Sequence, residues 1–191
     1  MSERESLFSE AFVKHIYLEE IKLQCEYALQ AFNEIKYALK QGYSKELFRA
    51  AHHFLVHVGN VSKILWPSRE KEEYKQKRAE CRAKTMRDII GISESDHPLK
   101  GRKLRNHLEH YDTRLDDWSE NSVNRVYVDM NVAPRGEIQV GGSENYLRNF
   151  DPNTFNYSFV NEEFELQLLA AAIDQISSTI KEELEKSNSI H

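Results

Sequence analysis

The segment from Leu104 to Trp118 contains the side chains best suited to chemistry on a phosphate group. An arginine, an asparagine, two histidines and a tyrosine occur close together near its start, namely Arg105, Asn106, His107, His110 and Tyr111. Arginine is permanently charged and its planar guanidinium fits phosphate oxygens, whereas histidine takes up or releases a proton near neutral pH. Arg105 and His110 are therefore the candidates for phosphate binding and proton transfer, and the other three side chains are candidates for supporting them.

The spacing of apolar residues predicts that this segment belongs to an amphipathic helix, from about residue 99 to 119. At about 100° per residue, its large apolar side chains fall within about 40° of Leu104 and form one buried face. They are Leu108, Tyr111, Leu115 and Trp118. We expect the rest of the chain to be organised around this helix.

The same helical geometry separates Arg105 from His110 by about 140° around the axis. One helix would therefore not present both side chains to one phosphate group, and one histidine does not easily act as both acid and base. A two-fold dimer that pairs Arg105 with His110 across its interface would solve both problems, and we expect a homodimer.

Each of these polar residues also has an ordinary structural interpretation. Arg105 can pair with Glu109 one helical turn later. Arg114 can pair with Asp117 or His110, and His110 can be an exposed surface histidine.

The apolar pattern of the whole chain predicts a mainly α-helical fold, in the form of a four- to five-helix bundle. The predicted helices cover about 7–41, 44–66, 68–91, 99–119 and 161–186 of a single domain that spans residues 1–191. Between the last two helices, at about 122–160, short runs rich in valine, tyrosine and phenylalanine are separated by turn residues. This region predicts an inserted β-hairpin or small antiparallel sheet.

The second predicted helix carries a polar ridge beside its apolar stripe. His53 and His57 are four residues apart, a spacing that can hold zinc, and Asn60 follows one turn later. The HExxH pattern is absent, however, and no cysteine or paired carboxylate lies nearby in the sequence. We expect this ridge to hydrogen-bond to a facing helix, with His53 and Asn60 supporting the site and no metal or other cofactor bound.

The charge distribution is uneven although the whole chain carries a formal net charge of −5. From Arg69 to Arg105 there are twelve Lys and Arg against seven Asp and Glu, so this segment is +5 and the remainder is −10. One interpretation is that this basic segment attracts an anion towards the arginine–histidine segment. The other is that it is an ordinary solvated helix face. Two widely separated cysteines and the lack of a long apolar run predict a cytoplasmic protein that does not enter a membrane.

The pattern Arg105-Asn106-x-x-x-His110 resembles the motif of HEPN proteins, in which an arginine is followed a few residues later by a histidine and often directly by a polar residue. The resemblance covers the predicted helices, roughly 10–118 and 161–186, and excludes the β-rich insertion. It implies a helical bundle of four or five helices that is usually dimeric. Many HEPN domains are metal-independent ribonucleases of bacterial toxin–antitoxin, abortive-infection and CRISPR systems.

The predicted function is therefore metal-independent cleavage of RNA, with RNA, a second copy of the chain and an antitoxin or other partner protein as the expected partners. His110 would act as acid or base, and Arg105 would stabilise the charge on the phosphorane. The alternative is a non-catalytic HEPN-like dimer that binds nucleic acid or protein. A third hypothesis is a metal-dependent hydrolase that uses His53, His57 and His110.

Overall fold

The protein is mainly helical and contains a small four-stranded sheet. In chain order its elements are α1 (Glu3–Gln41), α2 (Ser44–Leu65), α3 (Glu73–Ile90), a 3₁₀ helix (Pro98–Lys100), α4 (Tyr111–Asn121), β1 (Asn131–Val132), β2 (Arg148–Asp151), β3 (Asn156–Phe159), β4 (Glu162–Glu165) and α5 (Leu166–Asn188). The structure, a computed structural model, describes residues 3–93, 96–101, 103–104, 110–121, 128–134, 137, 146–160 and 162–188, with side chains from 11 to 186.

The hydrophobic core lies between α1, α2 and α5, and the apolar stripes of the sequence point into it as predicted. On α2 the buried stripe is Leu47, Ala51, Phe54, Val58, Val61 and Leu65, and on α5 it is Leu166, Leu169, Ile173, Ile176, Ile180 and Leu184. Residues at steps of three and four lie on one side of a helix, so α2 and α5 each bury this side, and both pack against α1. The predicted bounds of α1 and α2 are confirmed to within a few residues.

The sheet is mixed, so the prediction of a hairpin or purely antiparallel sheet is wrong in one strand pair. β2, β3 and β4 are antiparallel neighbours, but β1 pairs with β2 in parallel. Fifteen residues separate Val132 from Arg148, which is long enough for a crossover, whereas a tight turn joins only antiparallel strands. Across the three antiparallel strands Phe150, Tyr157 and Phe164 lie in register and form one buried row.

The last helix begins later than predicted because its expected first turn is a strand. Residues 162–165 form β4, in which Phe164 is buried against the core while its neighbours Glu163 and Glu165 are exposed. This alternation has the two-residue period of a strand, and β3 supplies its hydrogen-bonding partner. The helical period starts only at Leu166.

The third helix begins at Glu73, so its predicted start at residue 68 is wrong. Its first turns are exposed, and its buried residues lie in its second half, where Ala83, Met86 and Ile90 meet the core. The residues that follow Pro67 have no apolar side that could hold them against the bundle. Gly91 ends the helix in the left-handed conformation (φ 73°), which glycine adopts without strain.

The prediction of one continuous helix from residue 99 to 119 is wrong. Pro98–Lys100 is a short 3₁₀ helix, Gly101 is extended, and the next described helix of more than two residues begins at Tyr111. His97 holds the start of the 3₁₀ helix, because its Nδ1 accepts a hydrogen bond from the Leu99 amide. Arg105 lies outside the described residues, so the predicted angle of about 140° between Arg105 and His110 stays a prediction.

Of the described helices, α2 buries the largest number of residues. α2 contacts α1, α3 and the 3₁₀ helix, and its Phe48 meets Tyr157 of the sheet. No residue of α4 is fully buried, although Tyr111, Leu115 and Trp118 do pack partly buried against the core, as predicted. Leu108 lies outside the described residues.

Candidate functional site

His110 and Tyr111 are the described members of the predicted catalytic group. His110 is exposed in the turn that opens α4, where its carbonyl oxygen accepts the hydrogen bond of the Arg114 amide. Arg105, Asn106 and His107 lie outside the described residues. The site is therefore built from His110 and Tyr111 outward.

The start of α4 is attached to the inner face of the sheet. The Tyr111 ring stacks on the Phe159 ring with 4.9 Å between centroids and 14° between planes. One turn later Arg114 forms an ion pair with Glu162, rather than with Asp117 or His110. Phe159 and Glu162 are paired residues of β3 and β4, so one short stretch of sheet holds both side chains.

A cleft of about 500 Å³ opens beside Tyr111, between the first half of α2 and the sheet. Its described lining residues are Lys45, Phe48, Arg49, His52, His53, Tyr111, Met130, Arg148 and Tyr157. Three of them carry a positive charge, two are histidines, and no acidic side chain is among them. The cleft therefore presents a cationic surface beside an aromatic one, which suits a phosphate-bearing ligand.

Arg148 is held in place on the sheet side of the cleft. Its Nη1 donates to Asp129 Oδ2 at 3.0 Å, and its Nη2 donates to the Tyr111 hydroxyl at 3.4 Å. The other oxygen of Asp129 accepts the amide of Met130, which has a φ of 52°. A positive φ is strained for a residue with a side chain, and such strain is concentrated at functional sites in proteins.

Arg49 is held in a similar way on the α2 side. Its Nη2 donates to Glu34 Oε2 of α1 at 2.8 Å, and its Nη1 lies 3.4 Å from His53 Nδ1. A guanidinium group has no acceptor, so the Nδ1 of His53 must be the acceptor and its proton must be on Nε2. His53 is exposed and lines the cleft, and its supporting role stays a prediction.

Two further groups in the cleft are uncharged near neutral pH. Burial lowers the pKa of His52, and the neighbouring His53 and Arg148 lower it further. Burial also raises the pKa of the Tyr157 hydroxyl, against the opposite effect of Arg148. The cations of the described cleft are therefore Lys45, Arg49 and Arg148, of which Arg49 is paired with Glu34 and Arg148 with Asp129.

The second half of the polar ridge forms a separate network, facing α1 as predicted. His57 Nδ1 donates to Gln24 Oε1 at 2.8 Å, and Asn60 Nδ2 donates to the same oxygen at 3.1 Å. Asn60 is thus placed away from the cleft. Among the described residues, no group of three histidine, cysteine, aspartate or glutamate side chains could hold a metal ion, so the third hypothesis finds no site there.

Sequence reasoning missed Lys45, Asp129 and Arg148. They are far from the arginine–histidine segment in sequence, and only the sheet and the start of α2 bring them to Tyr111. One signal was present: Arg148 lies on the same side of its strand as the buried Phe150. A charged side chain on the inner side of a strand suggests a polar site at that place.

In the part of the chain that the structure describes, no helix combines the length and apolar character that crossing a membrane requires. Comparison of the chain with protein-family models, with curated proteins and with solved structures finds no significant match.

Proposed function

We propose that this protein is a HEPN-type, metal-independent ribonuclease that binds RNA in the cleft between α2 and the sheet. The observation that carries this proposal is the cationic, partly aromatic cleft, of which Tyr111 forms a wall. Tyr111 directly follows the exposed His110 in the chain, although His110 itself is not one of the residues that line the cleft. Backbone phosphates bind to lysine and arginine, and exposed bases bind to aromatic rings.

Cleavage would begin with attack of a ribose 2′-oxygen on the adjacent phosphorus. A base takes the 2′-hydroxyl proton, the bond between phosphorus and the 5′-oxygen breaks, and an acid protonates that oxygen. The products are a 2′,3′-cyclic phosphate and a 5′-hydroxyl. We assign one proton transfer to His110, and the stabilisation of the negative phosphorane to Arg105, whose charge does not titrate.

The reaction needs two proton carriers, and we assign the second to a second copy of the chain. In a two-fold dimer each motif can complete the other, because the same surface of both subunits meets at the interface. Sedimentation velocity and dilution assays test this part by itself. Full activity at concentrations where the chain is monomeric would rule the dimer out and leave the cleft assignment intact.

The central experiment is incubation of the protein with total RNA in the presence of a chelator. Wild type should cleave RNA, and His110→Ala and Arg105→Ala should each cleave it at least about 100-fold more slowly. His15→Ala and Arg78→Ala are matched controls, because both residues are exposed on helices outside the cleft. Circular dichroism should show all four variants folded.

Wild-type rates in both motif variants would overturn the proposal. RNA that is bound in the cleft but not cleaved would identify the non-catalytic alternative instead.

Because a ribonuclease that cleaves cellular RNA is harmful to the cell, the proposal extends to a toxin or phage-defence effector. It would act in the cytoplasm, and an antitoxin would inhibit it. Expression of wild type should then stop growth, and expression of His110→Ala should not.

A further inference from the structure

We infer that the cleft contains a nucleobase subsite, in which an unpaired base of the RNA stacks on Tyr111 while Arg148 binds the adjoining phosphate. This inference rests on the proposed function, because it specifies how the RNA lies in the cleft. It assigns specific roles to Tyr111, Phe159, Arg148 and Asp129.

Tyr111 has the geometry of a rigid stacking platform. One face of its ring lies on Phe159, nearly parallel at 14°, and its hydroxyl accepts from Arg148 Nη2. The ring is therefore fixed at a face and at an edge, while the half-buried side chain still lines the cleft. A platform that is already ordered loses little further freedom when a base stacks on it.

Arg148 places a positive charge at the edge of that platform. Asp129 orients the guanidinium by accepting from Nη1, and the Tyr111 hydroxyl accepts from Nη2. A base lying on Tyr111 carries its phosphate only one sugar away, which is close to the reach of this arginine. Planar guanidinium groups bind phosphate oxygens with two parallel hydrogen bonds.

The opposite wall supplies a site for the next phosphate along the strand. Arg49 is oriented from behind by Glu34, and Lys45 lies one turn earlier on the same helix. A cleft of about 500 Å³ falls within the usual size range of sites for one small ligand unit. The arrangement therefore fits one nucleotide with charged groups on both sides.

This geometry requires an unpaired base. In an RNA duplex both faces of each internal base are covered by neighbouring bases, and side chains reach mainly the backbone and the minor groove. A single strand can turn one base out onto an aromatic ring. The subsite thus predicts a preference for single-stranded over double-stranded RNA.

Binding should be measured by fluorescence anisotropy with short 2′-O-methyl RNA, which lacks the attacking hydroxyl and stays intact. Three probes are compared: a single strand, the same strand with abasic positions and therefore the same phosphates, and the duplex, which adds the phosphates of the complementary strand. The loss of one base–aromatic stack should weaken single-strand binding by about tenfold in Tyr111→Leu, which keeps an apolar side chain but has no aromatic face. Tyr111→Phe keeps the ring and should bind within about twofold of wild type.

Tyr74→Leu is the matched control, because Tyr74 is an exposed tyrosine on α3 outside the cleft. Wild type should bind the abasic strand about as weakly as Tyr111→Leu binds the intact strand. The abasic probe uses unaltered protein, so it remains decisive even if Tyr111→Leu unfolds in thermal melting.

Equal binding of intact and abasic strands by wild type would overturn the subsite. An unchanged affinity of folded Tyr111→Leu for the single strand would also overturn it. Neither result bears on cleavage of total RNA, which tests the proposed function separately. Conversely, an absence of cleavage together with the expected anisotropy results would retain the subsite in a binding protein.

Discussion

His53 and His57 carry their protons on opposite ring nitrogens although they are one helical turn apart. His53 Nδ1 accepts from Arg49, which places its proton on Nε2, whereas His57 Nδ1 donates to the Gln24 side chain. The partner thus decides the tautomer in each case. His53 is left with an N–H donor for a ligand in the cleft, and His57 serves the contact between α1 and α2.

His97 also has a hydrogen-bonding partner that requires one form of its ring, and we predict that its contribution to stability depends on pH. Burial lowers the pKa of His97 from its ordinary value of 6.5, and its Nδ1 must be unprotonated to accept from the Leu99 amide. The folded state therefore favours neutral His97. Its contribution is complete above pH 6.5 and is lost as the pH falls below that value.

His97→Asn keeps a side-chain oxygen that can cap the 3₁₀ helix but removes the titrating group. Urea unfolding at about pH 8 and about pH 5 should show a smaller loss of unfolding free energy on acidification in this variant than in wild type. His15→Asn, which changes an exposed histidine, should behave like wild type. An identical pH dependence in His97→Asn and wild type would contradict this account.

At the scale of elements, the two sides of α2 have different roles. One side is apolar and packs into the core, while the other side carries the cleft residues and the Gln24 network. α2 also allows a close approach by the chain just before the arginine–histidine motif. A Cβ atom added at Gly59 would lie 3.4 Å from the Leu104 carbonyl oxygen.

The effect of a substitution at Gly59 on the free energy of unfolding should therefore depend on the size of the new side chain. Gly59→Ala should leave the free energy of unfolding unchanged or raise it by up to about 1 kcal/mol, because alanine favours a helix and its methyl group just fits. Gly59→Val should lower it by about 1–3 kcal/mol, because a γ-carbon would press against the Leu104 carbonyl group.

Urea denaturation measures both effects, and Ala79→Val on α3 controls for the cost of a branched side chain in a helix. The proposed function adds that Gly59→Val should slow RNA cleavage, since it moves the residue directly before Arg105. Equal stability of Gly59→Val and wild type would show that a Cβ atom at position 59 lies further than 3.4 Å from the Leu104 carbonyl oxygen.

At the scale of the whole molecule, the core of α1, α2 and α5 is the frame on which the cleft depends. Phe54 of α2 is completely buried and contacts Phe32 of α1 in a tilted arrangement, with 5.5 Å between ring centroids. Phe32 also contacts Phe155, which belongs to the turn between β2 and β3. This chain of rings connects the helical core to the sheet that carries Arg148.

Phe54→Ala should lower the free energy of unfolding by about 3–5 kcal/mol, because it removes a buried ring and leaves a cavity. Tyr74→Ala removes a ring that is 72% exposed and should change it by no more than about 0.5 kcal/mol. Chemical denaturation of both variants tests the prediction. A loss below about 1 kcal/mol in Phe54→Ala would mean that the core refills this space.

Much of the helical frame could be predicted from the sequence, and the sheet only in part. The stripes of α1, α2 and α5 repeat over many turns, so the buried side of each helix and the bounds of α1 and α2 follow from local spacing. The sequence wrongly predicts helix at Glu162–Glu165, because four residues are too short a run to show a period. Its identity depends on the neighbouring strand β3, which supplies the hydrogen bonds.

Local residue spacing is enough to predict a mainly helical fold, the helices that build its core and a polar ridge on α2. These properties depend on residues within a few positions of each other along the chain. The tertiary structure alone decided that the ridge splits between a cleft and the Gln24 network, and that Lys45, Tyr111 and Arg148 share this cleft. Their meeting depends on contacts between distant segments, above all the stack of Tyr111 on Phe159, and local spacing carries no information about such contacts.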